Sequence, residues 1–298
     1  MKNLIKTRKI SINEASVIYG VLLFFCLIVL LPFVTLVCSS LSSSSTILSQ
    51  GARPWIQNFN TDAYYVLFQR INDLLNSYLT TIIVTVAGTA VNILLVSSSA
   101  FAISRKNFKG GNILTFFYAF TIMFQAGYVP NYIWFRNYLH ITDTYFVMIL
   151  APAFMVAHMV FLRAFYSGLP ESMYEAAKMD GANEFCLYFR IATPLIIPGV
   201  ATACLYSILS YWNDSFTALI YARNYTPLAV YLKDISAYVE WMKIASENGW
   251  GSLIGGREMP TQTILYAIAV ATTFPMLVVF MFLQKFFVGG LTVGAEKG

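Results

Sequence analysis

The sequence predicts an all-α, polytopic membrane protein with six transmembrane helices. Three observations predict it. The chain is 58% hydrophobic and only 11% charged, with a mean hydropathy of +0.64, against roughly 25% charged residues in an average soluble domain. A soluble fold has no interior large enough for that much apolar surface. The apolar residues gather into runs of about 20, which at about 1.5 Å per residue cross roughly 30 Å of hydrocarbon. Ionisable residues are almost absent from those runs.

The elements follow in chain order. The N-terminus is basic, with Lys2, Lys6, Arg8 and Lys9. The first span, 18–37, is too long and lacks the small-residue cleavage site of a signal peptide, so it is expected to stay uncleaved, with Pro32 as a kink. Residues 39–76 are mixed, and Trp55, Tyr64, Tyr65 and Phe68 predict one or two short helices at the membrane interface. The second span covers about 77–102, with Gly88, Ala90 and the small residues of 97–100 suited to close helix packing. The third covers about 111–129, ending before Pro130, and the fourth about 145–166. The fifth covers about 195–212 and the sixth about 264–286, with Pro275 inside it. The outer stretch 213–263 is rich in Tyr and Trp and is expected to be partly helical. Gly289, Gly290 and Gly294 are expected to break the helix in the tail. A single membrane domain, 1–298, with its core at about 77–286, accounts for the chain; no internal repeat or separate soluble domain is visible.

Six spans put both termini on one side. Segments 1–17, 104–110, 163–190 and 285–298 are short and hold twelve of the nineteen basic residues. The positive-inside rule places them, and both termini, in the cytoplasm. The protein is expected in the cytoplasmic (inner) membrane.

Between the fourth and fifth spans lies the stretch 169–199. Pro170 suits a first helical turn, and Glu171 favours the positive end of the helix dipole. Met173, Ala176, Ala177 and Met179 make a small apolar face, while Glu171, Glu175, Lys178 and Asp180 are charged. Glu175 and Lys178 are spaced to attract. Gly181 is expected to end the helix in a left-handed cap. A second short helix is expected over 182–190, and Pro194 and Pro198 open the next span. The product is a helix–Gly–helix elbow at the membrane surface, a compact ridge that can enter a partner's groove.

Glu175-Ala176-Ala177, Gly181, Ile191 and Pro194 stand at the spacing E-A-A, three residues, G, nine residues, I, one residue, L-P. This resembles the EAA loop of ABC importer permeases; Thr193 replaces the usual Leu. The order of spans resembles the type I, MetI-like importer permease fold. The tail 290–298, GLTVGAEKG, looks like that of carbohydrate permeases of the maltose second-permease kind, as does 224–228, NYTPL. Segment 127–150 is similar to the LplC- or YtcP-like branch of oligosaccharide permeases. The resemblance implies a coupling loop, with Glu171, Glu175, Ala176, Ala177, Asp180 and Gly181 docking into a cleft on a cytoplasmic ATPase subunit. It implies two ATPase subunits that bind ATP and Mg, a second, non-identical permease and an extracellular solute-binding protein. The tail 289–298 is expected to touch the ATPases.

Chemistry within the chain is sparse. No G-x-x-x-x-G-K-[ST] stretch is present, so ATP hydrolysis must come from another chain. Paired carboxylates, zinc spacing and Ser/His/Asp sets are missing, so neither catalytic nor metal-ligating residues are assigned, no cofactor is expected in this chain, and a nucleic-acid partner is not expected. Cys26, Cys38, Cys186 and Cys204 read as small hydrophobes. His158, inside the fourth span, is a functional candidate by position; a neutral His bonded to a neighbouring helix is the plainer alternative. Asn92, Gln125, Tyr206, Trp212 and Asn213, with His158, are candidates for a solute pathway. Amides bond sugar hydroxyls and rings cover their C–H faces, although the same residues also serve as helix–helix contacts. The function expected is the permease subunit of an ATP-driven carbohydrate importer; the alternatives are an ABC permease for another solute class and a stand-alone secondary carrier.

Overall fold

Long helices separated by short, sharply bent ones carry the fold. The computed structural model describes residues 12–69, 71–124, 126–247 and 261–295. It divides into two units, 1–69 with 236–271, and 70–235 with 272–298.

In the first unit, the Ile12–Ser40 helix passes through Pro32 without interruption. Residues 16–34 are all exposed and mostly Leu, Phe, Val and Ile, a surface made for lipid. The short helices expected at the interface are Ser44–Gln50 and Asp62–Gln69. The helix end is closed by polar contacts: Ser40 Oγ lies 2.9 Å from the Tyr64 hydroxyl, and Ser42 Oγ accepts from the Gln57 amide at 2.9 Å.

In the second unit, the Ile71–Ser104 helix is the axis. The Val156–Ser167 and Ile197–Trp212 helices pack along it. The inner core joins Val96, Ala100 and Phe101 to Met159, Leu162 and Tyr166, and then to Tyr174, Leu187 and Tyr188 of the elbow. Gly88 lets the Tyr211 ring lie against the axis helix, and Gly199 lets the Phe165 ring lie against the Ile197–Trp212 helix.

Among the described residues three helices are long and apolar enough to cross a membrane: Ser16–Ser40, Ile71–Ser104 and Gln262–Gln284. Two bent pairs raise the count to five: Gly111–Met123 with Tyr128–Tyr138, at 111°, and Glu184–Leu195 with Ile197–Trp212, at 86°. The fourth expected span is not one helix. It is Tyr145–Leu150 and Val156–Ser167, separated at Pro152. Proline removes a donor and collides with the preceding turn. The break is tolerable in a membrane because neighbours satisfy the freed carbonyls. Asn92 Nδ2 donates to Ala153 O at 2.9 Å, and the Tyr211 hydroxyl donates to Ile149 O at 2.9 Å. Counting that pair, six crossings are compatible with the structure.

The helix of the third expected span ends at Met123, where Phe124 is extended, and Gly127, at φ +84°, precedes the next helix. Pro130 sits in the first turn of the next helix, where its missing N–H costs nothing. In the tail, the Thr261–Ala295 helix runs on through Gly289, Gly290 and Gly294. Each glycine costs about 1 kcal/mol in a helix, and the continuous backbone ladder outweighs it. The stretch 213–263, expected to be partly helical, is helical at Phe216–Tyr221 and Leu228–Glu247 among its described residues.

Candidate functional site

The elbow begins with the Glu171–Met179 helix. Gly181 ends it at φ +82°. The Ala182 amide reaches back to Ala177 O at 2.9 Å, the bond pattern of a left-handed cap. Asn183 then starts the next turn, its Oδ1 accepting from the Cys186 amide at 2.8 Å, as a capping side chain does. Glu184–Cys186 continues into a π-helical stretch, Leu187–Ala192, where a plain short helix over 182–190 was expected.

One face of this elbow is anchored. Tyr174 is buried against Phe101, with ring centroids 6.2 Å apart, and Leu187 and Tyr188 are buried in the same cluster. Arg105, the first residue beyond the axis helix, locks the anchor. Its guanidinium lies 3.6 Å from the Tyr174 ring centroid and pairs with Glu171 at 3.2 Å. Burial pushes the Tyr174 hydroxyl up from its ordinary value, while Arg105 pulls the other way, so the ring stays neutral at physiological pH. Glu171 thus faces inward, toward the chain's own arginine. Lys178 pairs not with Glu175 but with Glu184, at 2.7 Å.

The other face is open. Glu175, Ala176, Met179, Asp180 and Gly181 are exposed, and Ala177 is half-buried beneath them. Met179 is 89% exposed and Phe185 76%, two large apolar side chains with nothing of this unit over them. A cleft of about 430 Å³ separates the elbow from the end of the axis helix, lined by Phe101, Arg105, Phe108, Phe185 and Tyr188 among others. The elbow is therefore held at Tyr174, Arg105 and Tyr188 rather than along its whole length.

Thr193, the departure from the usual Leu, has a partner. The Tyr166 hydroxyl lies 2.9 Å from Thr193 Oγ1 and 2.8 Å from Ser97 Oγ, tying the elbow's far end to two spans. Tyr166→Phe leaves the buried Ser97 hydroxyl without its inter-helical partner, at an expected cost of about 1–3 kcal/mol. A lower unfolding temperature of the purified protein in detergent is the expected result; an unchanged one contradicts this role.

The mid-span candidates fall into two groups. Asn92 is fully buried and bonded to both neighbouring helices. Its Nδ2 is spent on Ala153, so its Oδ1 is the acceptor, and Ser207 Oγ donates to it at 2.6 Å. His158 Nδ1 lies 3.2 Å from that oxygen and 3.1 Å from Ser207 Oγ. With the Ser207 proton committed to Asn92, His158 Nδ1 must be the donor. The neutral ring then carries its proton on Nδ1 and leaves Nε2 as an acceptor. Tyr206 is 52% exposed, with its ring 6.2 Å from that of His158 and edge-on to Phe161 at 6.3 Å. Trp212 is buried, whereas Asn213 is exposed and bonded to Leu209 O at 2.9 Å. Gln125 lies outside the described residues. Sequence reasoning missed Ser207, Arg105, Tyr174 and Tyr166. A tyrosine amid the charges of an exposed helix, one arginine past a span, was the signal for the Arg105–Tyr174 pair; the Ser207 contact left none.

Known proteins resemble this chain in sequence and in fold. The family of binding-protein-dependent transport system inner membrane components matches residues 70–293. The polygalacturonan/rhamnogalacturonan transport system permease protein YtcP of Bacillus subtilis is 34% identical, over 94% of this chain and 97% of that protein. Protein LplC of Bacillus subtilis is 31% identical, over 91% of this chain and 90% of its own length. A chain from the crystal structure of a bacterial ABC transporter involved in the import of the acidic polysaccharide alginate superimposes with a TM-score of 0.76 at 27% identity, covering 96% of this chain and all of that one.

Proposed function

We infer the role of this chain from its family: it belongs to the inner-membrane components of binding-protein-dependent transport systems, the permeases of ABC importers. Its fold is the all-α, MetI-like fold of those permeases. Its role on this reading is to import a carbohydrate, most simply an oligosaccharide. The names of YtcP and of the alginate importer support that substrate class.

The observation that carries the coupling role is the two-faced elbow. Tyr174 and Arg105 hold one face to the end of a span, while Glu175, Ala176, Met179, Asp180 and Gly181 are presented outward. We assign that outward face, with Ala177 beneath it, to the cleft of a cytoplasmic ATPase subunit. Glu171 serves the same joint indirectly, through Arg105. Two such ATPases would bind ATP and Mg and do the hydrolysis. A second, non-identical permease would complete the pathway, and an extracellular solute-binding protein would deliver the solute. Both termini then lie in the cytoplasm with the elbow. When the ATPases close, the elbow moves, and Arg105 passes that motion to the axis helix. In the pathway, Tyr206 offers a ring face and His158 Nε2 an acceptor for a sugar hydroxyl; Asn92 and Ser207 fix that tautomer, and Asn213 marks the outer end.

Proteoliposomes holding the complete transporter test the reading. Labelled oligosaccharide should enter only with ATP at the ATPase side and the binding protein opposite. Uptake by this chain alone, without ATP, would overturn it.

A further inference from the structure

The cleft between the elbow and the end of the axis helix has two unlike ends. Ser98 and Ala102 line it from one face of the axis helix, with Phe101 and Phe108 beside them. The Ser98 hydroxyl is spent on its own helix, donating to Leu94 O at 2.7 Å, so this wall is apolar. Leu94, one turn further into the span, shares that face and is 54% exposed. The cleft therefore continues into a helix surface made for hydrocarbon. The other end is basic. Arg105 lines the cleft; its Nη2 is paired with Glu171, but its Nη1 is buried without a hydrogen-bond partner. Lys106 and Lys109 follow in the same loop and are both exposed. Among the described residues neither has a carboxylate within ion-pair distance. Lys178 and Glu184, also on the lining, neutralise each other at 2.7 Å.

We propose that this cleft binds an anionic phospholipid of the cytoplasmic leaflet. An acyl chain lies along Leu94, Ser98 and Ala102, and the phosphate sits at Arg105, Lys106 and Lys109. The proposal rests on the cytoplasmic placement of the elbow given above. Basic pockets beside membrane helices on that side suit acidic headgroups. The order of the two ends decides the occupant: apolar toward the middle of the span and positive at its cytoplasmic end, as a phospholipid requires. A protein segment docking from the cytoplasm would have no use for an apolar wall that climbs into the membrane. The cleft, of about 430 Å³, takes part of one chain, and the rest follows the exposed face of the axis helix. The bound lipid touches both the axis helix and the elbow, so it fills the gap that the Arg105–Tyr174 anchor leaves open.

The test uses the complete transporter in nanodiscs of phosphatidylcholine with a small, fixed fraction of a photoactivatable lipid. That probe is phosphatidylglycerol or phosphatidylcholine with a diazirine on the acyl chain, and peptide mass spectrometry locates the adducts. Adducts within residues 94–108 are expected from the phosphatidylglycerol probe, and far fewer from the phosphatidylcholine one. A basic residue at an anionic membrane surface contributes about 1 kcal/mol, roughly fivefold. The double variant Lys106→Gln, Lys109→Gln should therefore lower the preference for phosphatidylglycerol at least fivefold, and Lys106→Arg, Lys109→Arg should keep it. Both lysines are exposed and unpaired, so the variants keep the fold; unchanged adducts elsewhere in the chain verify this. Equal labelling by the two probes would mark ordinary lipid contact and overturn the site. So would an absence of adducts there, or adducts that appear only when the ATPase subunits are stripped away, which would make the cleft part of their seat. Labelling of Met179→Cys by a membrane-impermeant thiol reagent separates the two readings. Reaction from the ATPase side without a headgroup preference sinks the lipid site alone, and reaction only from the opposite side sinks the cytoplasmic placement.

Discussion

Gly181→Val is expected to cut solute uptake at least tenfold while the permease remains abundant in the membrane. The backbone at Gly181 is left-handed, φ +82°, and no atom lies within 4 Å of where a Cβ would stand. The new side chain therefore meets no clash, and its whole cost is conformational. A residue with a Cβ in this region costs about 1–2 kcal/mol, and a β-branched one is least able to adopt it. The cap from the Ala182 amide to Ala177 O loosens, and the last turn, with Met179 and Asp180, loses its fixed place. Since about 1.4 kcal/mol is a factor of ten in an equilibrium, even this modest strain is large at a docking surface. Uptake per membrane-integrated permease checks it. Gly181→Asn, which tolerates the left-handed region, should retain most activity. Normal uptake by the valine variant would mean that the elbow's shape does not matter.

Gly88→Leu is expected to prevent folding rather than to change coupling. A Cβ there would overlap the Tyr211 ring. That ring cannot simply swing away: Tyr211 is buried, and its hydroxyl satisfies the Ile149 carbonyl freed by the broken fourth span. Overpacking alone costs about 1–3 kcal/mol, and a carbonyl left unpaired in the membrane interior adds to it. Little folded protein should be recovered after detergent extraction, compared with wild type. Gly20→Leu is the control, because nothing lies within 4 Å of a Cβ at Gly20. Wild-type recovery of Gly88→Leu would contradict the close approach.

Much of the fold was legible because hydrocarbon thickness imposes a length. The runs around Ile18, Thr81 and Ile264 each became a helix long enough to cross, and only their ends extended further than the apolar residues did. The elbow was legible because Gly181 and Asn183 act locally, through backbone conformation and a neighbouring amide. The broken spans were harder. Pro152 was in plain view, but a proline in a membrane helix either kinks or breaks it. The choice depends on Asn92 and Tyr211, which lie far off in the chain, one before the proline and one after. Pairings between distant residues were hidden for the same reason. Asn92, His158 and Ser207 meet only after three helices pack. Glu171 looked outward in the sequence because its partner, Arg105, belongs to a loop before the third span.

The most direct measurement is ATP hydrolysis by the reconstituted complex, with and without the loaded solute-binding protein, for wild type and for Glu175→Lys. Glu175 is exposed on the outward face of the elbow and makes no ion pair with Lys178. Reversing its charge should leave the permease folded and disturb only what docks there. Stimulation that is strong in the wild type and lost in the variant, with equal permease in the membrane, is the predicted result. Full stimulation in the variant would contradict the elbow's role as the joint between ATP hydrolysis and transport.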